Sequence, residues 1–428
     1  MANGFVVAAP HSGSGKTIIT LGLIRAMRNA GYRIASAKVG PDYIDPQFHA
    51  AASGTACMNL DYWAMGPERC AALAHQLGAD ADLLVIEGVM GLFDGPQGAK
   101  GSTADVAKQL ELPVVLVVDA SHQSQSIAAL VQGFCNFDAD VKIAGVILNR
   151  VKSERHELLL TDALSNIGTP ILGALRQSDS LSTPSRHLGL VQAIENQGLE
   201  MFLETVAAGV ARETKLDKLF QIGTHVSNHT KITQNFMKPL GQNIAIARDQ
   251  AFAFAYPHIL NQWQKAGVQL TFFSPLADQA PEADADAVYL PGGYPELHAG
   301  KLADNARFIN GLRQHQGLIY GECGGYMVLG DGMIDAKGAR HAMAGLLPLE
   351  TSFAQRKLHL GYRQLKTLTG PLAPAFRGHE FHYASIVTEG AADRLFEATT
   401  AAGETLAPCG LKRGNVLGSF AHIICEAP

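Results

Sequence analysis

The stretch Ala9-Pro10-His11-Ser12-Gly13-Ser14-Gly15-Lys16-Thr17 gathers the residue types that cradle a phosphate. Ser12, Gly13, Ser14 and Gly15 are small enough for backbone N–H groups to approach phosphate oxygens. Lys16 adds a full positive charge, and Thr17 offers a hydroxyl to Mg²⁺. Pro10 stands where the strict pattern has glycine, so the loop is a variant. A second set lies far along the chain, in Gly321-Glu322-Cys323-Gly324-Gly325. Its small neighbours suit a tight strand-to-helix turn that lifts the Cys323 thiol above a sheet, where a helix N-terminus favours the thiolate. Gly292 and Gly293, following Pro291, expose the backbone N–H groups that an oxyanion hole requires. A thiol nucleophile needs a base. The order of oxyanion glycines, cysteine and distant histidine favours His422; His379 and His382 are rivals, and the spacing of Glu426 makes it a poor orienting acid.

Further candidates stand at the ends of apolar runs. Residues 33–39 read as a strand that delivers Lys38 to a phosphate, and the Pro-restrained loop behind it carries Asp42, Tyr43 and Asp45. Asp42 or Asp45 suits Mg²⁺ or a substrate; a solvated turn is the competing reading. Glu87 ends the very apolar run 82–86, where a second metal ligand is expected, with Asp94 as companion. A cap on the next helix is the alternative. Asn149 ends residues 143–148 and offers the donor and acceptor that an adenine edge needs, or caps a helix. Arg186 and His187 suit a polycarboxylate, although a solvated loop explains them as well.

The elements that must position these residues follow from periodicity. Strand-like runs at 5–8, 33–39, 82–86, 114–118, 143–148 and 170–175 alternate with helical stretches, which implies a parallel sheet covered on both faces. Pattern is lost over 223–242 and resumes with strands at 244–247, 268–273, 287–290 and 318–320, a helix over 252–266, and a strand over 416–422. The expected organisation is an α/β domain over 1–222, a linker over 223–242 and a second α/β domain over 243–428. A length of 428 residues accommodates two cores. A net charge of −5 argues against a nonspecific nucleic-acid partner. No apolar run approaches a membrane span, no leader pattern is evident, and the six cysteines form no C-x-x-C pair. A cytoplasmic protein is expected.

Together these motifs resemble the cobyrinic acid a,c-diamide synthase family, which includes the hydrogenobyrinic acid a,c-diamide synthases. The resemblance rests on residues 9–17, 38–46, 87–95, 186–190, 321–325 and 378–383, and covers nearly all the chain outside the linker. The first half is similar to the P-loop, dethiobiotin synthetase-like ATP-binding domain, the second to class I glutamine amidotransferase domains of the cobalamin-synthesis type. One departure is that Ile424 stands where members often carry a second histidine. The resemblance implies amidation of the a- and c-acetates of a corrinoid polycarboxylate, with ATP and Mg²⁺ as cofactors and L-glutamine as nitrogen donor. It implies an acyl phosphate formed near Lys16, Lys38 and Mg²⁺, a thioester on Cys323, and an acetate held near Tyr43 and Asp45. A homodimer is possible. One rival is a closely related enzyme, a cobyric acid synthase, usually longer, or an amidase acting on another tetrapyrrole; another, of a different class, is a nucleotide-dependent switch or partitioning ATPase of the MinD kind, which needs no cysteine elbow.

Overall fold

The computed structural model describes residues 2–178, 185–186, 189–190, 192–196, 198–226 and 236–427. The chain divides into two compact units, residues 1–233 and 234–428.

In the first unit β1 (Asn3–Ala8) leads through the Gly-rich loop into α1 (Lys16–Asn29). Then come β2 (Ile34–Val39), α2 (Asp45–Ser53), β3 (Met58–Leu60), β4 (Leu83–Glu87), β5 (Val114–Asp119), β6 (Ile143–Val151) and β7 (Ile171–Arg176). They form a parallel sheet in the order β3-β2-β4-β1-β5-β6-β7. Its central strands are continuous apolar runs because both faces are covered. On one face Phe5, Val85, Val115 and Val117 join a core with Ile19 and Leu23 of α1 and with Leu203 and Val206 of the helix Leu199–Glu213. Order reverses between β4 and β5 around β1, which puts the loop after β1 at the carboxyl-edge crevice where such sheets bind ligands. The sequence reading missed β3, whose three residues are too few to show a period. β8 (Ser185–Arg186) and β9 (Gly189–Leu190) pair with each other. Within the stretch expected to be a linker, β10 (Thr224–His225) pairs antiparallel with the start of β1, and Phe236 and Met237 are buried in the second unit.

The second unit opens with β11 (Asn243–Ala247), β12 (Gln269–Phe273), β13 (Ala287–Leu290) and β14 (Leu318–Glu322). A smaller sheet contains β15 (Gly332–Ile334), β16 (Arg340–Ala342), β17 (Leu349–Ser352) and, later in the chain, β20 (Ser385–Glu389). The others are β18 (His359–Thr367), β19 (Ala375–His382), β21 (Asp393–Thr400), β22 (Cys409–Arg413), β23 (Val416–Ser419) and β24 (Ala421–Glu426). The main sheet runs β12-β11-β13-β14-β23-β22-β21-β18-β19-β24, parallel through β23 and antiparallel beyond it. Two expectations need correction. The helix expected over 252–266 is Pro257–Lys265, because Pro257 is pre-organised for the first turn, while Phe254 bridges to Gly292 in an extended segment. The strand expected over 416–422 is broken at Phe420: β23 lies beside β14, and β24 beside β19. Among the described residues, no helix is long and apolar enough to cross a membrane.

Candidate functional site

The loop between β1 and α1 has the backbone that its glycines predict. Gly13 and Gly15 have φ of 83° and 87°, a region that residues with a Cβ rarely adopt. A Cβ at Gly15 would also overlap the Asn149 amide. Ser14 is buried, and its hydroxyl donates to the His11 carbonyl at 2.9 Å. Asn149 donates from Nδ2 to the Ser14 carbonyl at 2.9 Å, so it braces the loop. It caps no helix, because Ser153 caps the one that follows.

Beside the loop, the ends of β2 and β4 and the start of α2 converge. Thr17 Oγ1 lies 2.6 Å from Glu87 Oε1 and 3.3 Å from Asp45 Oδ2. Lys38 Nζ lies 2.5 Å from Asp45 Oδ2 and 2.8 Å from Glu87 Oε1, and Lys16 Nζ is 3.6 Å from the same Glu87 oxygen. Burial works to discharge Lys38, but the carboxylates of Asp45, Glu87 and Asp42 together outweigh it and hold its pKa above the ordinary value. For Glu87 burial favours the acid, yet the Lys38 charge and the His49 hydrogen bond keep its pKa well below the carboxylate range. Lys16 is lowered, first by burial and then by Lys38.

Asp42 takes a different role from Asp45. Its Oδ1 accepts the Ile44 and Asp45 N–H groups at 2.8 and 3.1 Å and so shapes the turn into α2. Tyr43 is only 8% exposed, which leaves little of it for a substrate. Asp94, expected beside Glu87, is exposed and accepts the Gly91 N–H at 2.9 Å within its own loop. Arg186 lies in β8, and His187 lies outside the described residues. The sequence reading missed His49, whose Nε2 lies 2.6 Å from Glu87 Oε2. Burial opposes its charging, but Cys57 and Glu87 raise its pKa to about 10. The signal was available, since Asp45 and His49 stand four apart on α2 and share a face.

In the second unit Cys323 sits between β14 and the helix Gly324–Leu329 at φ 48°, ψ −104°. That is a strained backbone for a residue with a side chain. A Cβ at Gly325 would overlap the Leu290 carbonyl, and one at Gly321 would come within 2.7 Å of Leu329 Cδ1. Both small residues are therefore required. Cys323 is buried, and burial raises its thiol pKa. The short helix does not by itself make a thiolate, and a base must take the proton. A Cβ at Gly292 would overlap His422 Cε1, at 3.0 Å from His422 Nε2 and 3.2 Å from Cys323 Cβ. This one glycine thus marks where cysteine and histidine meet. Gly293 N lies 3.1 Å from the position of a Cβ on Gly324, so its amide is beside the elbow. His422 is fully buried, and burial, with the nearby His379 and His382, lowers its pKa to about 3. The neutral ring is the form that accepts a proton.

The rivals of His422 have other contacts. His379 is its partner in the β19–β24 register and packs edge-on to Tyr362. His382 bonds Glu380 and the Ala384 carbonyl. Glu426 accepts the Lys238 N–H. A further acid was missed: Glu322 Oε2 lies 3.9 Å from His422 Nδ1. Tyr289 donates to that oxygen at 2.8 Å; Tyr320 and the Ile423 N–H donate to Oε1 at 3.0 and 3.1 Å. Burial nevertheless raises Glu322 to about 7.

Residues 5–191 match the CobQ/CobB/MinD/ParA nucleotide binding domain, and residues 243–428 the CobB/CobQ-like glutamine amidotransferase domain. Curated relatives that match along essentially the whole chain carry the name hydrogenobyrinate a,c-diamide synthase. That of Brucella anthropi is 56% identical over 427 residues, 98% of each chain. That of Rhizobium meliloti is 52% identical over 429 residues, 99% of each. That of Mesorhizobium japonicum is 45% identical over 435 residues, covering 100% of this chain and 99% of the other. This chain belongs to the hydrogenobyrinate a,c-diamide synthase family. As a member of the hydrogenobyrinate a,c-diamide synthase family it is an enzyme, with a nucleotide-binding domain that carries the phosphate loop and a glutamine amidotransferase domain that carries the cysteine elbow.

Proposed function

We propose that the chain converts the a- and c-acetate carboxylates of hydrogenobyrinate, the cobalt-free corrin acid, to amides, with ATP as activator and L-glutamine as nitrogen donor. The observation that carries this reading is identity of 45–56% along essentially the whole chain to synthases of that name. Two chemically complete clusters, one in each unit, support it.

A carboxylate is a poor electrophile, and phosphorylation makes it an acyl phosphate that ammonia can attack. In the first unit, loop amides from Ser12 to Thr17 and the Lys16 ammonium bind the phosphates and offset the charge that builds on transfer. Thr17, Asp45 and Glu87 present three converging hard oxygens, a donor set that fits Mg²⁺; when bound there, Mg²⁺ neutralises phosphoryl charge. Lys38 now spans the two carboxylates, and its ammonium is within the same cluster to meet phosphate. His49 fixes Glu87 from behind. Asn149 acts on the nucleotide site by bracing the loop. Asp94, Arg186 and His187 remain our candidates for contact with the corrinoid, and Tyr43, at 8% exposure, could offer it only a small edge.

In the second unit the neutral His422 takes the Cys323 proton, and the sulfur attacks the glutamine carboxamide. Gly292 and Gly293 carry the backbone N–H groups proposed to stabilise the oxyanion. The protonated His422 then gives its proton to the departing nitrogen, which leaves as ammonia, while the γ-glutamyl group stays on Cys323 as a thioester; water hydrolyses that thioester to glutamate and restores the thiol. Glu322 orients the ring and offsets its charge. All six cysteines are unpaired, which fits a cytoplasmic enzyme.

The test is mass spectrometry of products after incubating the full chain with ATP, Mg²⁺, glutamine and either hydrogenobyrinic or cobyrinic acid. Diamide formed preferentially from the cobalt-free acid is expected. Preference for the cobalt-containing acid, or amidation of neither, overturns the assignment.

A further inference from the structure

Strands β18 and β19 carry a group of ligating side chains that the proposed reaction leaves unused. Across these antiparallel strands His359 stands directly opposite His382. Glu380 and His382 are two residues apart on one strand and so share a face, and His359 shares it by its register. Ligand atoms of the three all lie within 4.8 Å of one another.

We propose that His359, Glu380 and His382 bind a divalent transition-metal ion of the zinc class. Two imidazoles and one carboxylate are the donors such ions take, with a fourth position left for water or another ligand. His382 Nε2 and Glu380 Oε1 are 2.9 Å apart, so the pair has to open by only a few tenths of an ångström to span the roughly 3.3 Å edge of a tetrahedral site with bonds of about 2.0–2.1 Å. The outer contacts are those that orient metal ligands. His382 Nδ1 faces the Ala384 carbonyl at 3.1 Å, and Arg363 Nε donates to Glu380 Oε2 at 2.7 Å, which turns Oε1 to the ion.

Both ring nitrogens of His382 face acceptor oxygens, Nδ1 the Ala384 carbonyl and Nε2 the Glu380 carboxylate. In the proposed site the ion takes the place of a proton between Nε2 and Oε1. The His359 ring is stacked on His382 at 4.7 Å and is only partly buried at the first position of β18; in the proposed site it rotates out of that stack so that a ring nitrogen meets the ion. The strand being clamped matters: the Phe381 carbonyl, between the two β19 ligands, is 3.8 Å from Cys323 Sγ.

The test is zinc titration of the metal-stripped full chain against a chromogenic chelator, in a Cys323→Ala background so that the nucleophile contributes no ligand. One equivalent of zinc and a rise in melting temperature on adding it are expected. Loss of an outer partner alone weakens such sites by about 10–100-fold. His359→Ala and Glu380→Gln, each removing a ligand, are expected to weaken binding at least that much. His359 is partly exposed, and an unchanged metal-free circular dichroism spectrum of its variant separates lost ligation from lost fold. Absence of zinc binding, as when a second ring proton satisfies His382 instead, overturns the proposal. So does unchanged affinity in a folded His359→Ala.

Discussion

Glu322 Oε2 stands 3.9 Å from His422 Nδ1, so the residue before the nucleophile and the base proposed to activate that nucleophile are neighbours. The contact exists because β24 returns to the end of β14, where the Ile423 N–H donates to the same carboxyl group. It gives the ring an acid that neither Ile424 nor Glu426 supplies.

Glu322→Gln keeps the shape of this group and removes its charge. Glutaminase kcat is expected to fall on the order of 10²-fold, the low end for a proton-transfer group, with KM for glutamine little changed and amidation from free ammonia intact. Equal losses with both nitrogen sources would assign Glu322 to the fold alone.

The same substitution has a stability signature. Glu322 is raised to about 7 by burial, above its unfolded value. Its favourable contribution is complete below the unfolded pKa and is lost as pH rises through about 7. The melting temperature of Glu322→Gln should therefore rise relative to the parent chain between about pH 5 and about pH 8. A constant difference across that window would contradict the buried, proton-binding carboxyl.

Gly292→Ala inserts a methyl group where Cys323 and His422 meet. Glutaminase activity is expected to fall at least about 10²-fold, the loss seen when an oxyanion group or proton-transfer geometry is removed. Amidation from ammonia should persist. A fully active variant would mean that the two side chains do not act together at this point.

Lys38→Met leaves Asp45 and Glu87 facing each other without their buried partner. Removing one member of such a group costs about 3–5 kcal/mol, measurable by urea unfolding. Lys16→Ala lies at the edge of the cluster and should spare stability, but it should stop amidation from either nitrogen source. Opposite ranking of the two variants would reverse the roles assigned to the two lysines.

Local chemistry made much of this legible. The phosphate loop needs small residues before Lys16, and the elbow needs them around Cys323. Both appear as contiguous patterns, and Glu87 was readable as an acid at the end of a buried strand. Glu322 occupies the equivalent place before Cys323, yet its meaning depends on β24 returning from a hundred residues away. No local period encodes that. The antiparallel strands between Leu349 and Arg413 were likewise hidden: β18 mixes buried and exposed residues without regular alternation. The bend at Phe420 splits an apolar run that reads as one strand. Asn149 illustrates a limit of residue type, since its amide suits an adenine edge, a helix cap or, as found, the carbonyl of Ser14.

If the two clusters serve one reaction, nitrogen labelled in glutamine passes through both. The full chain would be given hydrogenobyrinic acid, ATP, Mg²⁺ and glutamine labelled at its amide nitrogen, beside a Cys323→Ser variant given the same mixture and then ammonia. Label is expected at both the a- and c-amides with the parent chain, none with the variant on glutamine, and restored diamide on ammonia. Amides without label, or diamide formed by the variant from glutamine, would contradict a reaction shared by the two clusters.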